Sequence, residues 1–165
     1  MPRILWDASA LIKRYISEVG SPTVNAIVGA PNCEMITTLW GYAEMFAILN
    51  RRLNSGILTQ QLFASQLSAL QNELLVGSAY TMLSITDASV LASLPLIQSH
   101  SLNSADAAIL TSFLSFRAAY PGQERSFVLV AADQRLARAG AAEGFTVINP
   151  EIVNASDTNA VLASI

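Results

Sequence analysis

Of 165 residues, one is cysteine, one is histidine and one is lysine: Cys33, His100 and Lys13. Each scarcity removes a class of chemistry. A single cysteine cannot close an internal disulfide. With one histidine beside it, no cluster of soft ligands exists for zinc. The remaining cations are arginines, charged residues make up only 13%, and the net charge is −3. No basic coat therefore announces a polyanionic partner.

Long hydrophobic runs are missing too, although hydrophobic residues reach 52% and the mean hydropathy is +0.43. The uncharged segment 88–105 is broken by Pro95, Gln98, His100 and several serines, so no membrane span is expected. The N-terminus lacks a basic region followed by an apolar core and a small-residue cleavage site, so no signal peptide is read. Cys33 is expected within a core strand, and the lone thiol points to a reducing cytoplasm. The surplus apolar surface fits either self-association, another partner, or a dense core.

What the chain does contain is alternation. Residues 3–6 (RILW), 33–37 (CEMIT), 80–85 (YTMLSI), 126–132 (SFVLVAA) and 145–148 (FTVI) read as strands. Several are almost continuously apolar, as strands buried on both faces are. Helices with recognisable ends lie between them. Ser21-Pro22 reads as a cap and first-turn proline, with Gly29 and Pro31 closing the helix. A long helix runs from Thr38 to Asn54 and stops at Gly56. Thr59 opens another, with Leu62, Phe63, Leu67, Leu70 and Leu74 at helical spacing and Gly77 as its stop. Asp87 is expected to cap 88–99, Ser104 opens the next helix, and Asp133 opens 134–143 ahead of Gly144. This order predicts an α/β fold, a central, mostly parallel sheet covered by helices on both faces. A single domain is expected over 1–150, with 120–126 as a surface loop and 151–165 as a tail packed on the domain or extending from it.

Most of the acids have ordinary explanations. Glu18, Glu124 and Glu151 fall in loops or near helix ends, Glu73 and Glu143 near helix C-termini, Asp157 in the tail, and Glu34 at the start of a strand that could be an edge. Four are different. Asp7 and Asp133 each follow an apolar strand directly, in RILW-D and VLVAA-D. Either could be a helix cap and no more. Both also sit where open parallel sheets bind ligands, at the carboxyl ends of strands. Glu44 lies mid-helix, and no cation stands three or four residues away to pair with it. Asp106 has only apolar residues and Asn103 at those spacings, although an acid in a first helical turn also suits the helix dipole.

Carboxylates in apolar surroundings are costly, and converging ones repel unless a cation joins them. An all-oxygen cluster calls for a hard divalent ion, Mg²⁺ or Mn²⁺. Such ions polarise phosphodiesters and activate water. Ser9 is placed to bond either the Asp7 carboxylate or the backbone at the helix start.

ILWDASALIKRY, YAEMFAILNRRLNSGILT, LNSADAAIL and FVLVAADQRLARAGAAEGFTVINP resemble, in order, the four acidic motifs of PIN-domain ribonucleases. They are most similar to those of VapC-type toxins of toxin–antitoxin modules. The resemblance runs from residue 3 to Pro150. It places the metal-binding and catalytic acids on Asp7, Glu44, Asp106 and Asp133. It implies a three-layer α/β/α fold with a short sheet of five strands, and Mg²⁺- or Mn²⁺-dependent cleavage of RNA leaving a 3′-hydroxyl and a 5′-phosphate. It also implies a homodimer and a cognate antitoxin.

Two features depart from that pattern. The gap between Asp106 and Asp133 is long, because of FRAAYPGQERS, which puts the local substrate surface in question but not the acids. The acidic chain must also grip RNA with few cations. The candidates near the motif ends are Lys13, Arg14, Arg51, Arg52, Arg135 and Arg138, each of which could equally be a solvated helix-face charge. Binding should then be modest and salt-sensitive. A phosphoaspartate enzyme is disfavoured, because it needs a lysine from a later strand or loop, and the one lysine stands beside the first motif. A DNA-directed nuclease of this fold would carry more acids and more helical elements. The alternative that remains is a catalytically silent PIN-like module that binds RNA or protein.

Overall fold

A computed structural model of the chain describes residues 1–163 and 165, with residue 159 by its backbone alone. Every residue of Arg3–Trp6 (β1) and of Phe127–Val130 (β4) is buried. Strands without a polar face belong inside a parallel sheet with a layer on each side. Glu34–Thr38 (β2), Tyr80–Leu83 (β3) and Thr146–Ile148 (β5) complete it. The order is β3-β2-β1-β4-β5. All four pairings are parallel, so the sheet is wholly rather than mostly parallel.

Side chains alternate between two cores, as the strand period of two requires. Ile4, Trp6, Met35, Val128 and Val130 face one side. There they meet Val24 and Ile27 of Ser21–Val28 (α2), Met45 and Leu49 of Leu39–Asn54 (α3), and Leu70 of Gln60–Gln71 (α4). The short first helix, Ala8–Leu11 (α1), joins the same core. Leu5, Ile36 and Leu129 face the other side. They meet Ala107, Leu110 and Phe113 of Ser104–Ala118 (α7) and Leu136 of Gln134–Ala142 (α8). Gly140 lets α8 lie this close: a Cβ there would meet Leu129 Cδ2 at 2.3 Å.

Several boundaries differ from the sequence expectation, each for a local reason. The first α2 residue is Ser21, with Gly20 at the cap in the left-handed region at φ 92°. The Ser21 hydroxyl instead accepts from the Glu18 amide and donates to the Ile16 carbonyl. The span 88–99 is two helices, Asp87–Ala92 (α5) and Leu94–His100 (α6), meeting at Ser93 just before Leu94-Pro95; a proline's neighbour resists continuing a helix. Thr86, not Asp87, caps α5. Asn103, not Ser104, caps α7. Cys33 lies before β2 rather than in it, half-buried, with its thiol against the Pro31 carbonyl. Glu34 is on an inner strand, where Arg3 pairs with it at 3.1 Å.

The long insertion falls elsewhere than expected. Because β4 runs parallel to β1, the loop before it lies at the pole opposite Asp7. Arg3 holds it there, its guanidinium 3.9 Å from the Tyr120 ring centroid and hydrogen-bonded to Gln123 and Ser126. The chain after β5 ends in Ala155–Ala163 (α9), which packs on α2 and buries Leu162. Among the described residues, no helix is long and apolar enough to cross a membrane.

Candidate active site

At the carboxyl pole, β1 ends at Trp6 and the chain turns directly into α1. Asp7 occupies the cap position in an extended conformation (φ −82°, ψ 150°). Its Oδ2 accepts from the Ser9 amide at 2.9 Å and from the Ser9 hydroxyl. Asp7 is 5% exposed. Burial raises its pKa above the ordinary value, the Ser9 bonds oppose that, and the Asp133 charge adds to it.

Ser9 has a second task. Its hydroxyl also accepts the backbone amides of Ala132 and Asp133, at 3.0 and 3.1 Å. The loop after β4 is therefore fastened to the first acid. Asp133 caps α8, its Oδ1 accepting from the Arg135 and Leu136 amides at 2.9 and 3.0 Å. Asn149, just past β5, donates from Nδ2 to the Ala132 carbonyl at 3.3 Å.

Glu44 and Asp106 come from the helices flanking this pole. Glu44 is half-buried in mid-α3, and its pKa is pushed up to about 7, first by burial and then by the Asp7 and Asp106 charges. A hydrogen bond with the Trp40 side chain and the charge of Arg51 pull it back. Asp106, in the first turn of α7, is pushed up to about 6 by burial and by Asp7 and Asp133. Asn103 holds it reciprocally: Nδ2 donates to Asp106 Oδ2 and Oδ1 accepts the Asp106 amide, each at 2.8 Å. Asn103 thus caps the helix through the Asp106 amide and holds the Asp106 carboxylate with its own side-chain amide.

Asp7, Ser9, Glu44, Arg51, Asn103, Asp106 and Asp133 thus line one cavity of about 260 Å³. The four acids arrive from four separate segments. Among the described residues, however, no three His, Cys, Asp or Glu side chains stand together as a ready metal cage. The carboxylates repel one another, and Arg51 and Arg135 offset only part of that repulsion. The donor set is all oxygen and suits a hard divalent ion. A larger cavity of about 650 Å³ opens at the opposite pole, around Met1, Asn25, Cys33 and Leu162. Among the described residues no carboxylate lines it, so the smaller one is the candidate site.

The expected RNA-contacting cations divide into two groups. Lys13 is 4% exposed and held between Glu18 and Glu151 at 2.8 and 2.7 Å, so it is not presented to a ligand. Burial would depress its ammonium, but the two carboxylates raise its pKa. Arg52 also pairs with Glu18. Arg14 bonds Asn25 and lies 3.5 Å from Glu73. Lys13, Arg14 and Arg52 are thus each already engaged with an acidic side chain. Arg51 lines the acidic cavity, and Arg135 is close enough to lower the Asp106 pKa. Arg51, Arg135 and Arg138 are exposed. Asn103 and Asn149 escaped the sequence reading. The N-x-x-D spacing of 103–106 is a visible signal for the first, whereas nothing local points to the second.

No family model matches the sequence, and no curated protein sequence does either. Solved structures do resemble it. PAE2754 from Pyrobaculum aerophilum superposes with a TM-score of 0.62 at 15% identity, over 99% of this chain and 91% of that one. VapC20 of Mycobacterium tuberculosis, a toxin that cleaves the sarcin–ricin loop, superposes at 0.60 and 16% identity, over 86% of this chain and 95% of that one.

Proposed function

On a chain with a VapC-type PIN-domain fold, we propose that the acidic cavity is the active site of a metal-dependent endoribonuclease, the toxin of a toxin–antitoxin pair. One observation carries the reading: Asp7, Glu44, Asp106 and Asp133, distant in sequence, line a single cavity at the carboxyl pole of a parallel sheet. Those four are the proposed ligands of Mg²⁺ or Mn²⁺. The bound ion would supply positive charge to the phosphodiester and acidify the attacking water.

The chain's own groups do the rest. Ser9 orients the Asp7 carboxylate and fixes the Asp133 loop. Asn103 orients Asp106. Glu44, whose pKa burial and the Asp7 and Asp106 charges push up to about 7 without a cation, is the carboxylate whose ionisation a bound ion would most change. Arg51 and Arg135, at the rim, are the proposed contacts to RNA backbone phosphates. An antitoxin, a homodimer and a cytoplasmic location belong to the same proposal.

The spread of the four carboxylates favours one second reading, a silent module that binds without cutting. Incubating the protein with total RNA and Mg²⁺, then sequencing 5′-phosphorylated ends, separates the two. Discrete new ends, absent in EDTA, support the nuclease. RNA that is bound but intact supports the silent module.

A further inference from the structure

Beside the acidic cavity lies a second, smaller and mainly apolar one of about 200 Å³, lined by Trp40, Ile85, Val90, Ser104, Ala105 and Ala108. Both draw lining residues from α3 and α7. Trp40 stands one turn before Glu44 on α3, and Ser104 and Ala105 lie between Asn103 and Asp106 on α7. A helical turn rises about 5.4 Å, a distance that one ribose spans between its phosphate and its base. Trp40 is 51% exposed, unusual for the largest apolar side chain, and Val90 is 47% exposed. Leu39, Leu91 and Leu94 are also exposed but lie outside this lining.

We infer that this pocket is a nucleobase subsite, in which Trp40 stacks an unpaired base of the RNA whose neighbouring phosphate enters the acidic cavity. The inference rests on the proposed nuclease reading. Unstacked bases of single-stranded RNA are commonly held on exposed aromatic faces. The electrostatics agree, because a neutral base meets an uncharged wall while the phosphate meets the cavity that a cation would fill. An apolar pocket with no charged residue in its lining favours a base over a second phosphate.

The test uses Trp40 fluorescence, since the other tryptophan, Trp6, is 1% exposed. In the Asp7→Asn variant with Mg²⁺, hexaadenylate RNA should quench the exposed tryptophan and bind about tenfold tighter than an abasic hexamer of equal charge. Trp40→Ala should erase that preference, and Trp40→Phe should keep most of it. The inference is overturned if the abasic hexamer binds equally well or if Trp40→Ala discriminates as the parent does. It is also overturned if acrylamide cannot reach Trp40 because a second copy of the chain covers it. The two readings fail separately. Stacking without cleavage of any RNA would remove the nuclease and leave the subsite. Cleavage by Trp40→Ala with unchanged KM would do the reverse.

Discussion

Ser9 and Asp133, 124 residues apart, are joined at the site: the Ser9 hydroxyl accepts the Asp133 backbone amide at 3.1 Å while donating its proton to Asp7. One side chain thus sets the relation between the first acid and the last. Ser9→Ala would strip the carboxylate of a donor and leave the Ala132 and Asp133 amides without that acceptor. Stability should fall by about 1–3 kcal/mol, and cleavage should fall by more than the loss of folded protein. Urea unfolding and single-turnover kinetics on the same samples check this, and an unchanged rate would remove Ser9 from the site.

Charge removal at the acids should separate activity from stability. Asp7→Asn, Glu44→Gln and Asp106→Asn each delete one of several repelling carboxylates. Cleavage should vanish while the thermal midpoint in EDTA stays level or rises. Wild-type turnover in any one of them would strike that residue from the proposed set.

The same repulsion gives a pH dependence of definite sign. Glu44 titrates near 7 when folded, against 4.5 for an ordinary glutamate, so the folded state holds the extra proton across that window. Stability of the cation-free protein should therefore fall as pH rises from about 4.5 to 7. A cation that displaces the proton should stabilise more at pH 7.5 than at pH 5. Thermal melts with EDTA or Mg²⁺ at the two pH values decide it. Equal Mg²⁺ shifts would count against binding at these carboxylates.

Lys13 and Arg51, both near motif ends, should behave oppositely. Lys13→Ala leaves Glu18 and Glu151 without their buried partner. It should cost about 2–3 kcal/mol, less than a fully buried pair because both carboxylates reach solvent. The RNA affinity of the folded fraction should hold. Arg51→Ala should leave the urea midpoint nearly unchanged and weaken RNA binding, with a shallower salt dependence. Filter binding at two salt concentrations, with urea titration, resolves the pair, and a fall in affinity with Lys13→Ala alone would reverse the assignment.

Much of this was legible in one dimension. ILW and FVLV are continuously apolar, as strands covered on both faces are. Two of the four acids stood out by following buried strands directly, and Glu44 by lacking any cation within a helical turn. What misled were features whose meaning depends on which pole of the sheet they occupy. The 120–126 loop looked like part of the substrate surface, but it lies at the opposite pole under Arg3. Lys13 looked available, yet it is enclosed by carboxylates, Glu18 from five residues away and Glu151 from 138.

The sequence by itself determined the alternation of strand and helix, the absence of soft metal ligands, and which acids lacked a local reason to exist. These follow from residue type and spacing, and neighbours within a turn or two suffice to read them. Only the tertiary structure decided that Asp7, Glu44, Asp106 and Asp133 share one cavity, that Ser9 ties two strand ends together, and that half of the candidate cations are already engaged. Parallel pairing brings chain ends together across more than a hundred residues, and the electrostatics of a carboxylate depend on whatever that pairing places beside it.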